Sequence, residues 1–139
     1  MILLDLKYPK FVLQNQIMQK DSFPKFKALV KKSNNIVIVT HYNPDGDAMG
    51  SSLALYNYLI KTGKSVTVIT PNDYPEFLRW LPGNKKVVEF NTNQKKAATI
   101  ISKSDLIFTL DFNNYSRLEG LGELLQNSTA KKILIDHHQ

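Results

Sequence analysis

Acidic residues and histidines follow three separate apolar segments of the sequence. The apolar runs VIVT, LIFTL and ILI lead directly into HYNPDGD, DFNN and DHH. Imidazole nitrogens and carboxylate oxygens are ligands that suit divalent metal ions. The residues concerned are His41, Asp45, Asp47, Asp111, Asp136, His137 and His138. Their types and spacing predict a metal site, provided that the fold brings the three groups together.

A parallel sheet would bring them together. Apolar strands that alternate with helical patterns predict an α/β fold, with a doubly wound, mainly parallel sheet flanked by helices. The carboxyl ends of such strands lie along one edge of the sheet, where open α/β folds bind their ligands. Carboxylates crowded at that edge would repel one another unless cations neutralise them. The cluster therefore fits two divalent cations better than one.

Hydrophobic periodicity predicts where the helices and strands lie. Helices are expected from Ser22 to the Ser33-Asn34-Asn35 segment, from the turn after Asp47 to Gly63, and at residues 76–81 and 94–103. Strands are expected at residues 36–40, 65–70, 86–90, 106–110 and 132–135. A short amphipathic helix is expected around Phe11, Val12, Ile17 and Met18.

Two expectations concern the core. The second helix should bury residues at spacings of three and four, namely Met49, Ser52, Leu53, Tyr56, Leu59 and Ile60. We interpret Trp80 as a core residue in preference to a ligand-stacking one, because Phe77 and Leu81 would share its helical face.

Composition limits the class of protein. With 139 residues, of which 42% are hydrophobic, the chain can form one globular core. The absence of cysteine excludes disulfides and thiolate-bound metals. A net charge of +6 is compatible with a polyanionic substrate, although lysine pairs spread over a solvated surface explain it as well. No segment could span a membrane, so we expect a cytoplasmic protein. A homodimer is compatible with the sequence.

Other site types fit the sequence less well. Neither GxGxxG nor GxxxxGK[ST] occurs, so no dinucleotide or Walker-type phosphate loop is indicated. A serine nucleophile at Ser51 or Ser52 would lack an elbow motif. We expect those two serines to cap or pack the helix.

Three motifs, THYNPDGDAMGSSLAL, LDFNN and IDHH, resemble the first three motifs of the DHH phosphoesterase superfamily in order and spacing. The resemblance implies an enzyme that uses two metals, often manganese, to hydrolyse phosphoric esters and anhydrides. The form HxNPDGDAxGSxLAL is most similar to the branch of small oligoribonucleases (nanoRNases) that also dephosphorylate 3′-phosphoadenosine 5′-phosphate. The pyrophosphatase and RecJ exonuclease branches are less similar. The resemblance covers nearly all of residues 26–138.

The same resemblance implies a set of metal ligands. His41 and Asp45 would hold the first cation, Asp47 and His137 would hold the second, and Asp111 would bridge both. With histidine among the ligands, Mn²⁺ is favoured over Mg²⁺, and Co²⁺ is a further candidate.

Further roles follow from the resemblance. His138 would face the substrate phosphate, which makes His138 and Asp111 the expected catalytic residues, and Asp136 would support the histidines. Neighbouring residues that leave a strand project to opposite sides, so only His137 of the histidine pair is expected to ligate easily. Arg117 is expected either near the cleft as a phosphate contact or on a helix surface.

The implied function is a two-metal-dependent phosphoesterase that hydrolyses short oligoribonucleotides, 3′-phosphoadenosine 5′-phosphate, or both. Family members continue to a fourth-motif aspartate and a C-terminal DHHA1-type domain, and we expect neither in this chain. We therefore expect an N-terminal helical extension over residues 1–22 and a DHH catalytic domain over residues 23–139, truncated after the third motif and weakly active or inactive alone. Two alternatives stay open: a nucleotide- or metal-binding module without turnover, and a cyclic-dinucleotide phosphodiesterase.

Overall fold

The computed structural model describes residues 2–4 and 22–138 of the chain. Its strands are β1 (Ile2–Leu4), β2 (Asn35–Val39), β3 (Ser65–Thr70), β4 (Val88–Glu89), β5 (Leu106–Leu110) and β6 (Lys131–Ile135). Its helices are α1 (Ser22–Lys32), α2 (Gly46–Lys61), α3 (Gln94–Ser102) and α4 (Gly120–Asn127). The helix predicted around residues 11–18 lies outside the described residues.

The six strands form one sheet in the order β1-β6-β5-β2-β3-β4. Strands β2 to β6 pair in parallel, and β1 pairs antiparallel to β6. This topology confirms the predicted α/β fold with a mainly parallel sheet. Strand β1 falls within the segment that we expected to be helical, and the sequence pattern does not predict it because three residues are too few to show a period.

Helices cover both faces of the sheet. In β2, Ile36 and Ile38 pack into one core with residues of α2, whereas Val37 and Val39 pack into a second core with residues of α3 and α4. Successive side chains of a strand point to opposite faces, so an unbroken apolar strand is stable only when both faces are covered. The doubly wound arrangement is therefore confirmed.

Several expectations about burial are wrong. Trp80 is 76% exposed and Phe77 is 72% exposed, because residues 76–78 form a 3₁₀ turn that buries Leu78 instead. On α2, Ile60 is 39% exposed at the end of the helix, although Met49 and Leu59 are buried as predicted.

Helix α4 and the 3₁₀ turn before it, Tyr115–Leu118, have no predicted counterpart. Two glycines within eight residues disfavour a helix by intrinsic propensity. Burial of Leu121 and Leu125 against the sheet stabilises it instead. Within the described ranges, no helix combines the length and the apolar character needed to cross a membrane.

Candidate metal centre

The three motif segments lie at the carboxyl ends of three neighbouring strands. Strands β6, β5 and β2 are adjacent in the sheet, and their ends lead into the DHH, DFNN and HYNPDGD segments. Parallel pairing brings these ends to one edge. The structure thus brings together all seven acidic and histidine residues singled out above.

Asp111 lies at the centre of the cluster. It directly follows β5, is 7% exposed, and has φ of 65°, a left-handed conformation that non-glycine residues rarely adopt. Its Oδ1 lies 3.1 Å from Nε2 of His137 and 3.5 Å from Nδ1 of His138, and its Oδ2 lies 3.7 Å from Nε2 of His41. Backbone strain of this kind collects at functional sites.

His41 is oriented by the chain next to it. Its Nδ1 lies 2.7 Å from the carbonyl oxygen of Tyr42, which can only accept, so Nδ1 carries the proton. The Nε2 lone pair is then free and faces Asp111. A buried imidazole held in this tautomer is a ready metal ligand. The Tyr42 amide in turn donates to the carbonyl of Arg117 at 2.7 Å, which fixes this stretch of backbone.

Asp45 and Asp47 are placed by the start of α2. Asp45 is the N-cap, and its Oδ1 accepts from the amides of Asp47 and Ala48, both at 3.0 Å. The hydrogen bond from Ala48 is the main cause of a lowered pKa for Asp45, which burial opposes and the Asp47 amide reinforces. The exposed carboxylate of Asp47 reaches Nε2 of His137 at 3.4 Å.

His137 and His138 do not project to opposite sides as expected. Their ring centroids are 4.7 Å apart at 70°, and both rings lie beside the Asp111 carboxylate. The reason is that β6 ends at Ile135, so strand alternation no longer applies to the residues beyond it. Nδ1 of His138 lies 2.7 Å from Oδ1 of Asp136, and this hydrogen bond raises the pKa of His138. Asp136 itself is buried.

Arg117 lies on the 3₁₀ turn Tyr115–Leu118, exposed to solvent. Its positive charge adds a little to the lowering of the Asp45 pKa, which is due mainly to the Ala48 amide, and opposes the rise in the His138 pKa that Asp136 causes. The residue therefore lies near the cluster and on a helical surface at once.

The electrostatics of the cluster suit cations. Burial raises the pKa of Asp111, and the nearby Asp47 carboxylate raises it further, whereas His138 lowers it. Among the described residues, the buried Oδ1 of Asp111 accepts no hydrogen bond. A buried oxygen without a donor, faced by imidazole nitrogens, is in the environment that a bound cation would satisfy.

Two groups of ligand atoms share Asp111. One consists of His41, Asp45 and Asp111, and the other of Asp111, His137 and His138, with the ligand atoms of each group within 4.8 Å of one another. The residues present therefore fit two cations with Asp111 between them. Asp47, at 3.4 Å from His137, adds a carboxylate to the second group.

A cleft of about 240 Å³ opens beside the cluster. It is lined by Asp47, Ser51, Leu110, Asp111, Ile135, Asp136 and His137. The Ser51 hydroxyl donates to the carbonyl of Ala48 at 3.3 Å, in keeping with the packing role expected for it. The cleft provides space for a small anionic group next to the carboxylates and histidines.

Sequence reasoning missed the pair Asn43 and Asn72. The Asn72 amide oxygen accepts from the backbone amide of Asn43, and its nitrogen donates to the Asn43 side-chain oxygen, both at 2.7 Å. Asn43 has φ of 51° and lies between the two ligands of the first group. The only signal for Asn72 is its place two residues after β3, at the same sheet edge.

These features define an α/β protein with a candidate two-cation centre at the carboxyl edge of a parallel sheet. Residues 35–139 match the family model described as the DHH family, N-terminal domain. The chain belongs to the DHH family.

Named relatives and a solved structure agree with this membership. The chain is 36% identical over 103 residues to the bifunctional oligoribonuclease and PAP phosphatase NrnA of Thermus thermophilus, covering 74% of this chain and 28% of that protein. It is 29% identical over 126 residues to the protein of the same name from Mycoplasma genitalium, covering 87% and 36%. The crystal structure of an exopolyphosphatase-related protein from Bacteroides fragilis superposes with a TM-score of 0.86 at 38% identity, covering 90% of this chain and 37% of that one. The chain thus spans about a third of the length of these proteins.

Proposed function

We propose that this chain carries the metal centre of a phosphoesterase that hydrolyses short oligoribonucleotides, 3′-phosphoadenosine 5′-phosphate, or both. The observation that supports the proposal is the buried Asp111 carboxylate, shared by two groups of candidate ligands at the end of β5. The names of the two relatives specify these two activities. A cytoplasmic location and a homodimer remain predictions.

The ligand assignment in this proposal keeps the first group, His41, Asp45 and Asp111, and in the second group takes Asp47 in place of His138. His41 and Asp45 would hold the first cation, Asp47 and His137 would hold the second, and Asp111 would serve both. Mn²⁺ is the favoured ion because imidazole nitrogens are mixed with carboxylates. When bound, two such ions polarise a phosphoryl oxygen and lower the pKa of an attacking water.

The protein's own groups orient the reaction. Asp45 keeps one oxygen on the α2 amides, so its second oxygen is held in a fixed direction toward the cluster. The hydrogen bond from Nδ1 of His138 to Asp136 raises the pKa of His138 and so favours the doubly protonated ring, in which Nε2 is a proton donor for a phosphoryl or leaving-group oxygen. Arg117 supplies a positive charge to the substrate phosphate. Asp111 is the residue on which both halves of the site depend.

Hydrolysis tests the proposal directly. With the purified chain in excess over a 5′-phosphorylated diribonucleotide, so that the weak activity expected of it can be detected, mononucleotides should be released slowly in the presence of Mn²⁺, and chelation should stop the release. Because Asp111→Asn removes the shared charge while preserving shape, the variant should lose turnover by at least about 10²-fold. Equal release by the variant and the parent would reject the proposed centre. Binding of Mn²⁺ and nucleotide without any release would favour the binding-module alternative.

A further inference from the structure

Two large aromatic side chains lie exposed between β3 and β4. Phe77 is 72% exposed and Trp80 is 76% exposed. Exposed tryptophan is unusual, since the indole ring is mostly buried in folded proteins. The metal centre described above uses neither residue.

The backbone around Phe77 and Trp80 follows a run of tight turns. Successive hydrogen bonds of the i to i+3 type run from Leu78 to Pro75, from Arg79 to Glu76 and from Leu81 to Leu78, at 2.9 to 3.1 Å. A 3₁₀ turn has three residues per turn, so residues three apart lie above one another. Phe77 lies in the 3₁₀ helix and Trp80 in the turn that follows it, a separation of three residues that favours one common face, whereas Leu78 between them is buried.

The loop is internally fixed. The Asp73 carboxylate accepts from the Tyr74 amide at 2.9 Å and from Nη2 of Arg79 at 2.7 Å. The Arg79 guanidinium also lies 5.0 Å from the centre of the Tyr74 ring and pairs with Glu76. A loop held in this way keeps the two aromatic rings presented to solvent.

Two contacts join this loop to the turn between β2 and α2, which carries His41 and Asp45. One is the double hydrogen bond between Asn72 and Asn43. The other is the Leu78 side chain, whose Cδ2 lies 3.9 Å from a Cβ built on Gly46, the residue after Asp45. The aromatic face thus belongs to a segment that borders the candidate catalytic edge.

We propose that Phe77 and Trp80 form a stacking surface for the nucleobases of a short single-stranded RNA whose phosphate lies at the metal centre. This inference rests on the proposed function and adds the group that recognises the bases. Single-stranded nucleic acids bind where aromatic faces are combined with positive charge. The exposed Lys85 and Lys86 follow Trp80 closely in the chain and supply that charge.

The charge also argues for RNA over a second copy of the chain. The chain has a net charge of +6, and Lys85 and Lys86, which follow the aromatic residues in the chain, would repel the same lysines of a second copy. A polyanion gains from these charges instead. Arg79 is neutralised by Asp73 and Glu76 and serves to hold the loop.

Trp80 is the only tryptophan, so intrinsic fluorescence reports on this surface alone. We expect pentaadenylate RNA, added in Mn²⁺ and measured before appreciable turnover, to quench Trp80 fluorescence in a saturable manner. Adenosine 5′-monophosphate should quench only at much higher concentration, because it offers a single base for stacking, whereas pentaadenylate offers several. Binding of a fluorescein-labelled pentaadenylate, measured by anisotropy, with unchanged Trp80 emission would overturn the proposal.

Variants separate stacking from general apolar contact. Phe77→Ala and Trp80→Leu should each weaken pentaadenylate binding, measured by anisotropy, on the order of 5- to 100-fold. Trp80→Phe, which keeps a planar ring, should restore most of the affinity. Tyr58→Ala, a change at a 65% exposed aromatic residue on α2, is the matched control and should bind as the parent does. Equal binding by all variants would reject the surface.

Two readouts keep this test distinct from that of the proposed function. Mn²⁺ affinity and the circular dichroism spectrum should be unchanged in every variant, which shows that the fold and the metal centre are intact. RNA hydrolysis that is indifferent to Phe77→Ala and Trp80→Leu would end the stacking proposal alone, whereas quenching without any hydrolysis would end the phosphoesterase proposal alone. A dimer in sedimentation that Trp80→Leu converts to a monomer would assign the surface to a second copy instead.

Discussion

The side-chain amide of Asn72 bonds to Asn43 twice, once to its backbone amide and once to its side-chain oxygen. Asn43 is held in a left-handed conformation between His41 and Asp45. We expect Asn72→Ala to weaken Mn²⁺ binding by about 10- to 100-fold, the range seen when a group that orients metal ligands is removed. Isothermal titration with Mn²⁺ measures the change.

Asn91→Ala is a suitable control for that variant, because Asn91 is an exposed asparagine that follows β4 and whose backbone amide donates to the carbonyl of Pro71 at 3.1 Å, next to Asn72. It should bind Mn²⁺ as the parent does. If Asn72→Ala also binds as the parent does, the amide pair has no part in orienting the ligands.

The two adjacent histidines should respond differently to substitution. His137→Ala removes an imidazole nitrogen that faces both Asp47 and Asp111, so Mn²⁺ binding should weaken at one site. His138→Ala should keep its metal content and lose turnover on the order of 10²- to 10⁴-fold, as expected for loss of a general acid. Metal titration and kinetics on both variants measure these effects. The reverse pattern would exchange the two roles.

Gly83 is required by its surroundings as well as by its backbone. Its φ is 95°, and a Cβ at this position would lie 2.9 Å from two ring carbons of Tyr56. Gly63 has a similar φ of 79° with open space around it. Both changes to Ala should destabilise the fold, and Gly83→Ala should cost about 1–3 kcal/mol more than Gly63→Ala because it also overpacks the core. Urea unfolding of the two variants measures the difference, and equal stabilities would show that Tyr56 moves aside freely.

Asp105 stabilises the fold at the edge opposite the metal centre. Its Oδ2 accepts from the amides of Asn35 and Asn34 at 2.8 and 2.9 Å, and these hydrogen bonds lower its pKa below the usual 3.8. Asp105→Ala should therefore lower the free energy of unfolding at neutral pH by about 1–2 kcal/mol.

The pH dependence follows from the direction of this shift. A carboxylate with a lowered pKa in the folded state contributes its full stabilisation above the unfolded pKa and loses it as the pH falls through the folded value. The difference between Asp105→Ala and the parent should be constant from pH 7 to about pH 5 and should shrink below about pH 4. Denaturation at several pH values measures it, and a difference that grows in acid would contradict the assignment.

The sheet and the centre of the site were predictable because the apolar runs in the sequence mark the strands, and parallel pairing then fixes where the strand ends lie. Strands β3 and β5 have the predicted ranges because each apolar run ends clearly at a polar residue or a proline. Parallel pairing brings the residues that follow these strands to one edge of the sheet. Tertiary contacts decide the elements that the pattern missed. Helix α4 depends on Leu121 and Leu125 packing on the sheet, and strand β1 exists only through its pairing with β6.

The direction of individual side chains was less predictable. The exposure of Trp80 depends on a 3₁₀ turn where an α-helix fits the same spacing, and the two geometries bury different residues. The shared direction of His137 and His138 depends on where β6 stops. Neither choice is encoded in hydrophobic periodicity alone.

The pairing of β1 with β6 joins Ile2 to Ile135, residues 133 positions apart. During synthesis on the ribosome, β1 cannot pair with β6 until almost all of the described residues have left the ribosome. The histidines that follow β6 emerge later still, so the second group of ligands cannot be assembled on a nascent chain that holds only His41, Asp45 and Asp111. A second cation can therefore bind only after β6 has been synthesised, and it cannot act as a template on which the sheet begins.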